Sequence, residues 1–198
     1  MRELCSIKIN KMETTTTTSL DKSTTATWAI DPMHSEILFK VRHLMITNVK
    51  GEFRKFSANI ISEGSDFSKA KVTANIDAAS IFTNSADRDT HLKSGDFFDA
   101  ENFKEILFEG TSFTKLDEEN YQLKGMLTMK GVSKEIALEV EFGGFITDSY
   151  GQEKAGFSVS GKINRKDWGL NWNAALETGG VMVSEEVRIN AELQFVKQ

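Results

Sequence analysis

The sequence predicts an all-β fold, an extended eight-stranded antiparallel β-barrel with one short helix near a barrel end. Apolar and polar residues alternate with a period of two from Trp28 onward, which is typical of half-buried strands. Polar or glycine-containing turns separate the alternating segments, and no strand–helix–strand rhythm points to a parallel sheet. About eight such strands can form a sandwich or a barrel, and we favour the barrel because closure leaves no exposed edges.

Nine segments carry the predicted strands. Seven alternate cleanly, a short one occupies residues 27–30, and an irregular one occupies residues 51–61. Phe53 and Phe56 in the irregular segment lie three residues apart, so both point inward only if a β-bulge separates them. The long strands and 14 phenylalanines predict a tall barrel with an elongated apolar bore. The seven clean segments span residues 36–42, 71–78, 105–109, 121–129, 135–142, 157–163 and 187–195.

One segment, residues 84–94, has the signals of a helix. Asn84 or Ser85 can cap it, and acidic side chains occupy its first turn, where the helix dipole favours negative charge. Gly95 follows its last turn and is expected to end it. We therefore expect a single short helix that packs near one end of the barrel.

Composition and termini narrow the functional classes. The net charge of −5 and the absence of a basic stripe argue against nucleic-acid binding, and an acidic surface argues against docking on anionic membranes. Residues 1–26 are predicted to be a disordered tail and residues 27–198 a single domain. Whether translation starts at Met1 or Met12, no secretory signal and no membrane-spanning segment is recognised, so we expect a cytoplasmic protein.

The apolar faces of the alternating segments point into the barrel whatever the protein does. For each such side chain, core packing and contact with a bound molecule are both open, because small barrels are usually filled by their side chains. Burial of apolar surface contributes about 0.8 kcal/mol per CH₂, so a long hydrocarbon can bind with few polar contacts. The candidate lining residues are Ile37, Phe39, Val41, Phe53, Phe56, Ile76, Phe108, Leu127, Leu138, Val140, Phe157, Val159, Val187 and Ile189.

Three polar side chains are further candidates for contact with a ligand. His43 continues the inward face of the 36–42 segment, so its ring is expected near one rim, as a structural histidine or as a hydrogen-bond partner of a head group. Arg88 and His91 lie three residues apart and share one face of the predicted helix. We favour caps and ion pairs that hold this helix over the barrel end, with diphosphate binding as the alternative.

The segment after the 157–163 strand is predicted to shape a loop at a barrel end. Arg165 and Asp167 are close enough along the chain to form an ion pair there. Trp168 and Trp172 are large apolar side chains that are expected to cover the mouth of the barrel.

The sequence carries no motif of catalysis or metal binding that we recognise. His34, His43 and His91 lack the spacings of metal sites, and there is no nucleophile-elbow motif. We therefore predict no catalytic residue, no metal and no cofactor, but a protein that binds an apolar molecule. The alternatives are an enzyme acting on a hydrophobic substrate at the barrel rim, and a filled, ligand-free barrel that serves as a stress-response scaffold.

An ordered set of short motifs resembles the YceI-like family over residues 28–197. The most recognisable block runs through the predicted helix. Lys104 and Glu135 depart from the pattern, because the family often has proline at those positions. The motifs are Trp28-Ala29-Ile30-Asp31, residues 34–43, 51–56, 80–83, 87–89, 91–94, 96–99, 103–108 and 125–134, Gly156-Phe157, and residues 165–170.

The resemblance implies that the barrel is lipocalin-like and that it binds polyisoprenoids or related long-chain lipids without known turnover. The implied function is storage, sequestration or transport of such a lipid in an internal hydrophobic tunnel. Homodimers are common in the family, so a homodimer is a possible assembly, with no nucleic-acid partner and no stable membrane insertion expected. Many relatives are exported, which makes the periplasm the alternative to a cytoplasmic location.

Overall fold

The computed structural model describes residues 25–175 and 181–198. Within them the chain forms eleven strands, one α-helix and three short 3₁₀ turns. The strands are β1 (Thr25–Ile30), β2 (Glu36–His43), β3 (Thr47–Phe53), β4 (Phe56–Glu63), β5 (Asp66–Asp77), β6 (Ile81–Phe82), β7 (Glu105–Lys115), β8 (Asn120–Met129), β9 (Val132–Thr147), β10 (Glu153–Asn164) and β11 (Val183–Lys197). The helix α1 spans Ala86–Lys93, and the 3₁₀ turns span Pro32–His34, Ala78–Ser80 and Arg165–Trp168. Over the described ranges, no helix is long and apolar enough to span a bilayer.

Eight strands close into an antiparallel barrel, which confirms the predicted fold. The order around it is β1-β4-β5-β7-β8-β9-β10-β11, and β11 pairs with β1 to complete the circle. The remaining strands β2, β3 and β6 extend the barrel beyond this circle, with β2 paired to β11, β3 to β2, and β6 to β3. Each of them continues a strand of the circle across a short break, so the eleven strands follow eight paths.

The breaks are fixed by turns that satisfy their own backbone groups. Between β1 and β2, the Asp31 carboxylate accepts a hydrogen bond from the Met33 N–H at 3.1 Å. Between β5 and β6, the Asp77 carboxylate accepts one from the Ala79 N–H at 2.9 Å. The Asp77 N–H also donates to the Lys55 carbonyl at 3.0 Å, which ties this break to the one between β3 and β4. The strands therefore bend together at one level of the barrel.

The irregular segment predicted over residues 51–61 is two strands rather than one bulged strand. Phe53 ends β3 and is buried, whereas Phe56 begins β4 and is half-buried. Strand β3 starts at Thr47, four residues before the predicted segment. Val49 is the only apolar residue in those four, so the sequence shows no alternation there.

Two predicted boundaries can be compared with the structure. β1 begins at Thr25, two residues before the predicted start of the domain, and Ala26 is already buried. The rest of the predicted tail, residues 1–24, lies outside the described residues. Helix α1 lies within the predicted 84–94 segment, with Ser85 as its N-cap residue but without a side-chain capping hydrogen bond.

Six aromatic side chains pack at one end of the barrel, five in its interior and Phe145, 46 % exposed, at the edge, and we call them the aromatic cluster. Phe67 lies at its centre, 1 % exposed, with ring centroids 5.1 Å from Phe157 and 5.6 Å from Trp28. The buried Trp28 indole N–H donates to the Ser62 hydroxyl at 3.0 Å, so the cluster contains no unsatisfied indole. Its members are Trp28, Phe67, Phe142, Phe145, Phe157 and Phe195.

Replacement of Phe67 by alanine should lower the free energy of unfolding by about 3–5 kcal/mol, because it removes a ring that contacts four others and leaves a cavity. Urea denaturation followed by circular dichroism measures the change. Ile146→Ala is the control, since this side chain is 67 % exposed and its loss should change stability by less than about 0.5 kcal/mol. A loss below about 1 kcal/mol at Phe67 would contradict the central role of the cluster.

Candidate ligand-binding cavity

An apolar cavity of about 440 Å³ occupies the end of the barrel opposite the aromatic cluster. The second half of β2, the end of β8 and the beginning of β11 form its walls. Helix α1 and residues 97–98 cover one side, and residues 165–172 another. The open space is thus confined to one half of the barrel. The elongated bore predicted from the strand lengths is wrong, because the aromatic cluster fills the other half.

Eleven of the seventeen predicted site residues line this cavity. They come from strands and from α1, and they share the same end of the barrel. The eleven are Ile37, Phe39, Val41, His43, Phe53, Ile76, Arg88, His91, Leu127, Val187 and Ile189. The structure brings them together around one space, although whether they contact a ligand stays a prediction.

The other six predicted residues lie away from the cavity. Phe108, Leu138, Val140 and Phe157 are buried in the packed part of the barrel, and Phe56 and Val159 are half-buried. These side chains belong to the alternating faces on which the prediction rested. Alternation identifies the inner face of a strand, but it does not distinguish the packed half of a barrel from the hollow half.

Several lining residues were missed in the sequence. Those on strands, such as Ile106, Met129 and Ile163, lie on alternating faces and could have been included. Those on loops carry no periodic signal. The missed residues are Leu38, Val49, Asp87, Leu92, Phe97, Phe98, Ile106, Met129, Ile163, Arg165, Leu170, Met182 and Val183.

Gly51 keeps the cavity open at one wall. It pairs with Phe39 across β2 and β3, and the Phe39 ring lies against it. A Cβ at position 51 would overlap that ring and approach the Thr83 methyl carbon to 2.8 Å. The ring therefore lies along the wall, 5.8 Å from the Phe53 ring, instead of projecting into the space.

A polar cluster of buried Thr83, buried Asp89 and exposed Arg88 attaches α1 to the barrel. The Asp89 carboxylate accepts hydrogen bonds from the Thr83 N–H at 2.9 Å and from the Thr83 hydroxyl at 2.5 Å. The Arg88 Nε donates to the Thr83 hydroxyl oxygen at 2.7 Å, and its Nη2 donates to the Thr83 carbonyl at 2.6 Å. The hydrogen-bonding groups of Thr83, Arg88 and Asp89 therefore satisfy one another. This geometry supports the structural role that we favoured for Arg88, which also lines the cavity.

His91 joins the helix to the loops that cover the cavity. Its Nε2 lies 3.0 Å from the Asp96 carboxylate. Its ring meets Trp172 edge-on with centroids 4.8 Å apart, and Phe97 at 5.1 Å. A hydrogen bond to Asp96 and two aromatic contacts therefore fix this side chain, as expected for a residue that holds the helix over the barrel end.

Arg165 is a buried cation beside the cavity. It donates to the backbone carbonyls of Ser184 at 2.9 Å, Val183 at 3.4 Å and Leu170. Burial holds the pKa of its guanidinium below the usual value. The predicted ion pair with Asp167 is wrong, because the described contacts do not include it. The guanidinium N–H groups of Arg165 donate to the backbone carbonyls instead.

The two tryptophans expected at the mouth take different places. Trp168 is 1 % exposed, and its indole N–H donates to the Leu127 carbonyl at 2.9 Å, so it belongs to the core beside the cavity. Trp172 is half-buried and lines the cavity. Only Trp172 therefore agrees with the expectation.

Polar groups at the cavity are concentrated at the barrel end. His43 ends β2, Arg165 follows β10, and Asp87, Arg88 and His91 belong to α1. The deeper lining is apolar. No cluster of metal-ligating side chains occurs among the residues that the structure describes. The arrangement can shelter a hydrocarbon and leave a polar end near solvent.

Comparisons with known proteins all indicate one family. The model of the YceI-like domain family matches residues 28–195. A UPF0312 protein of Staphylococcus epidermidis is 43 % identical over 166 residues, which cover 83 % of this chain and 94 % of that protein. The crystal structure of the Campylobacter jejuni YceI protein is similar with a TM-score of 0.67 and 34 % identity, covering 79 % of this chain and 89 % of that one.

A more distant structure shares the fold. It is a polyisoprenoid-binding domain from Saccharophagus degradans, described as implicated in plant cell wall breakdown. The TM-score is 0.62 at 15 % identity, and the match covers 86 % of this chain and 98 % of that domain. At this identity the likeness establishes the common barrel alone.

Asp89→Ala should lower the free energy of unfolding by about 1–3 kcal/mol, because the buried Thr83 N–H and hydroxyl lose their acceptor. Asp87→Ala on the same helix is the matched control. This side chain is exposed, so its variant should stay within about 0.5 kcal/mol of the wild type. Thermal and urea denaturation measure both. Equal effects of the two substitutions would show that helix propensity or charge, not the buried hydrogen bonds, sets stability here.

Proposed function

The chain belongs to the YceI-like domain family, and from that membership we propose that it binds the apolar part of a long-chain isoprenoid or related lipid and stores, sequesters or transports it. The observation that carries the proposal is the apolar cavity of about 440 Å³ with its polar groups at the barrel end. The S. degradans relative is named for polyisoprenoid binding, which supports the choice of ligand class.

The size of the cavity defines how a long lipid would be held. Its volume lies within the range of roughly 300–1,000 Å³ that is usual for small-molecule sites. The aromatic cluster closes the barrel beyond it, so a long tail cannot pass through. We infer that one segment of the tail is buried and that the remainder, or the head group, leaves through the mouth.

The polar residues support ligand binding without catalysis. The donors of Arg88 and Arg165 are engaged by Thr83 and by backbone carbonyls. His91 is paired with Asp96. These side chains are occupied in holding the cavity together. The open cavity also favours a ligand-binding barrel over the filled scaffold considered from the sequence.

Affinity for prenyl alcohols should increase from geraniol to farnesol, by up to about fourfold for each added CH₂ that becomes buried, and then level off with geranylgeraniol. The levelling is expected because the aromatic cluster limits the buried length. Displacement of an apolar fluorescent dye measures the series, with an oligoethylene glycol of similar length as the polar control. Affinity that is independent of tail length, or no displacement by any prenyl alcohol, would refute the proposal.

Gly51→Ala should weaken prenyl-alcohol binding by tenfold or more, because the new methyl group displaces the Phe39 ring into the cavity. Gly143→Ala is the matched control, since its added Cβ meets only an ordinary contact of 3.5 Å at the far end of β9. The same dye displacement assay measures both variants, with circular dichroism to verify folding. Equal affinities of folded Gly51→Ala and wild type would exclude the cavity as the binding site.

A further inference from the structure

The turn between β2 and β3 has a backbone conformation that its residues rarely adopt. Leu44 and Met45 have φ values of 50° and 61°, and the Ile46 N–H donates to the His43 carbonyl at 3.2 Å. Positive φ at both central positions is normally met by Asn-Gly or Asp-Gly, because large side chains crowd the backbone there. The chain places leucine and methionine in this turn instead.

The turn exposes large apolar side chains beside the cavity mouth. Met45 is 53 % exposed and Ile46 79 %, and we call these two residues the tip. Single exposed apolar residues are common on protein surfaces. The tip differs because it adjoins the site: the preceding His43 lines the cavity, and the Leu44 N–H donates to the carbonyl of Met182, another lining residue, at 2.8 Å.

Cations lie side by side behind the tip. Lys40 on β2 pairs directly with Arg188 on β11 and with Lys50 on β3, and we call these three residues the cation row. Like charges at directly opposed positions destabilise a sheet. Arg188 has a carboxylate partner in Glu186 at 3.1 Å. The described salt bridges include none for Lys40 or Lys50.

We propose that the tip and the cation row dock this end of the barrel on an anionic lipid bilayer, with the cavity mouth facing the membrane. Met45 and Ile46 would enter the head-group region, and the cation row would lie over lipid phosphates. Docking of this kind deepens the proposed function, on which it rests for its purpose, because it lets a lipid pass between bilayer and cavity without crossing water.

The charges near the tip suit this partner. Lys40 precedes His43 by three residues, or roughly 10 Å along a strand, which is slightly more than the Debye length of about 8 Å at physiological salt, so salt weakens the attraction of the cation row to lipid phosphates. The net charge of −5 suggested that anionic membranes would repel the protein, but the surface around Met45 carries three cations, Lys40, Arg42 and Arg188, and one carboxylate, Glu186. A second copy is a poorer partner, because a symmetric contact would bring two cation rows together.

Flotation with vesicles tests the proposal. Wild-type protein should float with phosphatidylcholine vesicles that contain phosphatidylglycerol, and much less with phosphatidylcholine alone. Met45→Ser combined with Ile46→Ser should lose most of this binding. Lys40→Gln combined with Lys50→Gln should weaken it about fivefold for each cation removed, and raised salt should have a similar effect.

Matched changes at the other end of the barrel are the controls. Leu116→Ser with Ile146→Ser removes two comparably exposed apolar side chains, and Lys69→Gln with Lys71→Gln removes two exposed cations from β5. Neither pair should change flotation. Dye binding in the cavity, measured without vesicles, should be the same in the tip variant as in the wild type.

Met45→Asn adds a readout that a merely structural turn would not give. Asparagine tolerates the left-handed backbone, so this variant should melt about 2–4 °C higher than wild type, while its flotation falls. A gain in stability with a loss of membrane binding is expected only if the turn is kept for its contact.

Three results would overturn the docking proposal: no flotation of the wild type, equal flotation of the tip variant and wild type, or an equal loss in the far-end controls. A concentration-dependent dimer that the tip variant abolishes, without flotation of the wild type, would also overturn it in favour of a second copy. If neither the wild type nor any variant bound the dye while the wild type still floated, the result would count against the proposed function and leave the docking inference standing.

Discussion

Strand β11 is hydrogen-bonded along both of its sides. β10 follows one side from Asn164 to Lys154, while β1 and β2 share the other. The end of β11 pairs with β1 and sends Phe195 into the aromatic cluster. Its beginning pairs with β2 and presents Val187 and Ile189 to the cavity. One continuous strand thus closes the barrel and joins its packed half to its hollow half.

The two halves have complementary tasks. In the packed half, aromatic rings meet at centroid distances of 4.9–5.9 Å, and this packing contributes much of the apolar burial that stabilises the fold. In the other half, side chains are held against the walls or over the end. Gly51 allows the Phe39 ring to lie flat, and Thr83 with Asp89 attaches α1. Because the aromatic cluster stabilises the barrel, the cavity does not have to be filled.

Sequence reasoning found the barrel, the helix and much of the cavity, since period-two alternation records which side chains point inward. It could not find how deep the packed region extends. Phe157 and Phe39 have similar patterns around them, but Phe157 meets the ring of Phe67 on β5, a strand with which β10 does not pair, and such a contact depends on the closed barrel. Arg165 shows a second limit: proximity along the chain suggested Asp167, whereas the fold offered three backbone carbonyls. The loop residues Phe97 and Trp172 carried no periodic signal at all.

The cavity also makes the stability of this protein sensitive to hydrostatic pressure. Apolar walls offer water few hydrogen bonds, so part of the cavity volume of about 440 Å³ is poorly filled space that unfolding removes. Hydrostatic pressure therefore favours the unfolded state of the ligand-free form more strongly than it would for a solid barrel. A bound hydrocarbon removes the void and with it this part of the pressure sensitivity, so compressibility distinguishes the loaded protein from the empty one even when their backbones are the same.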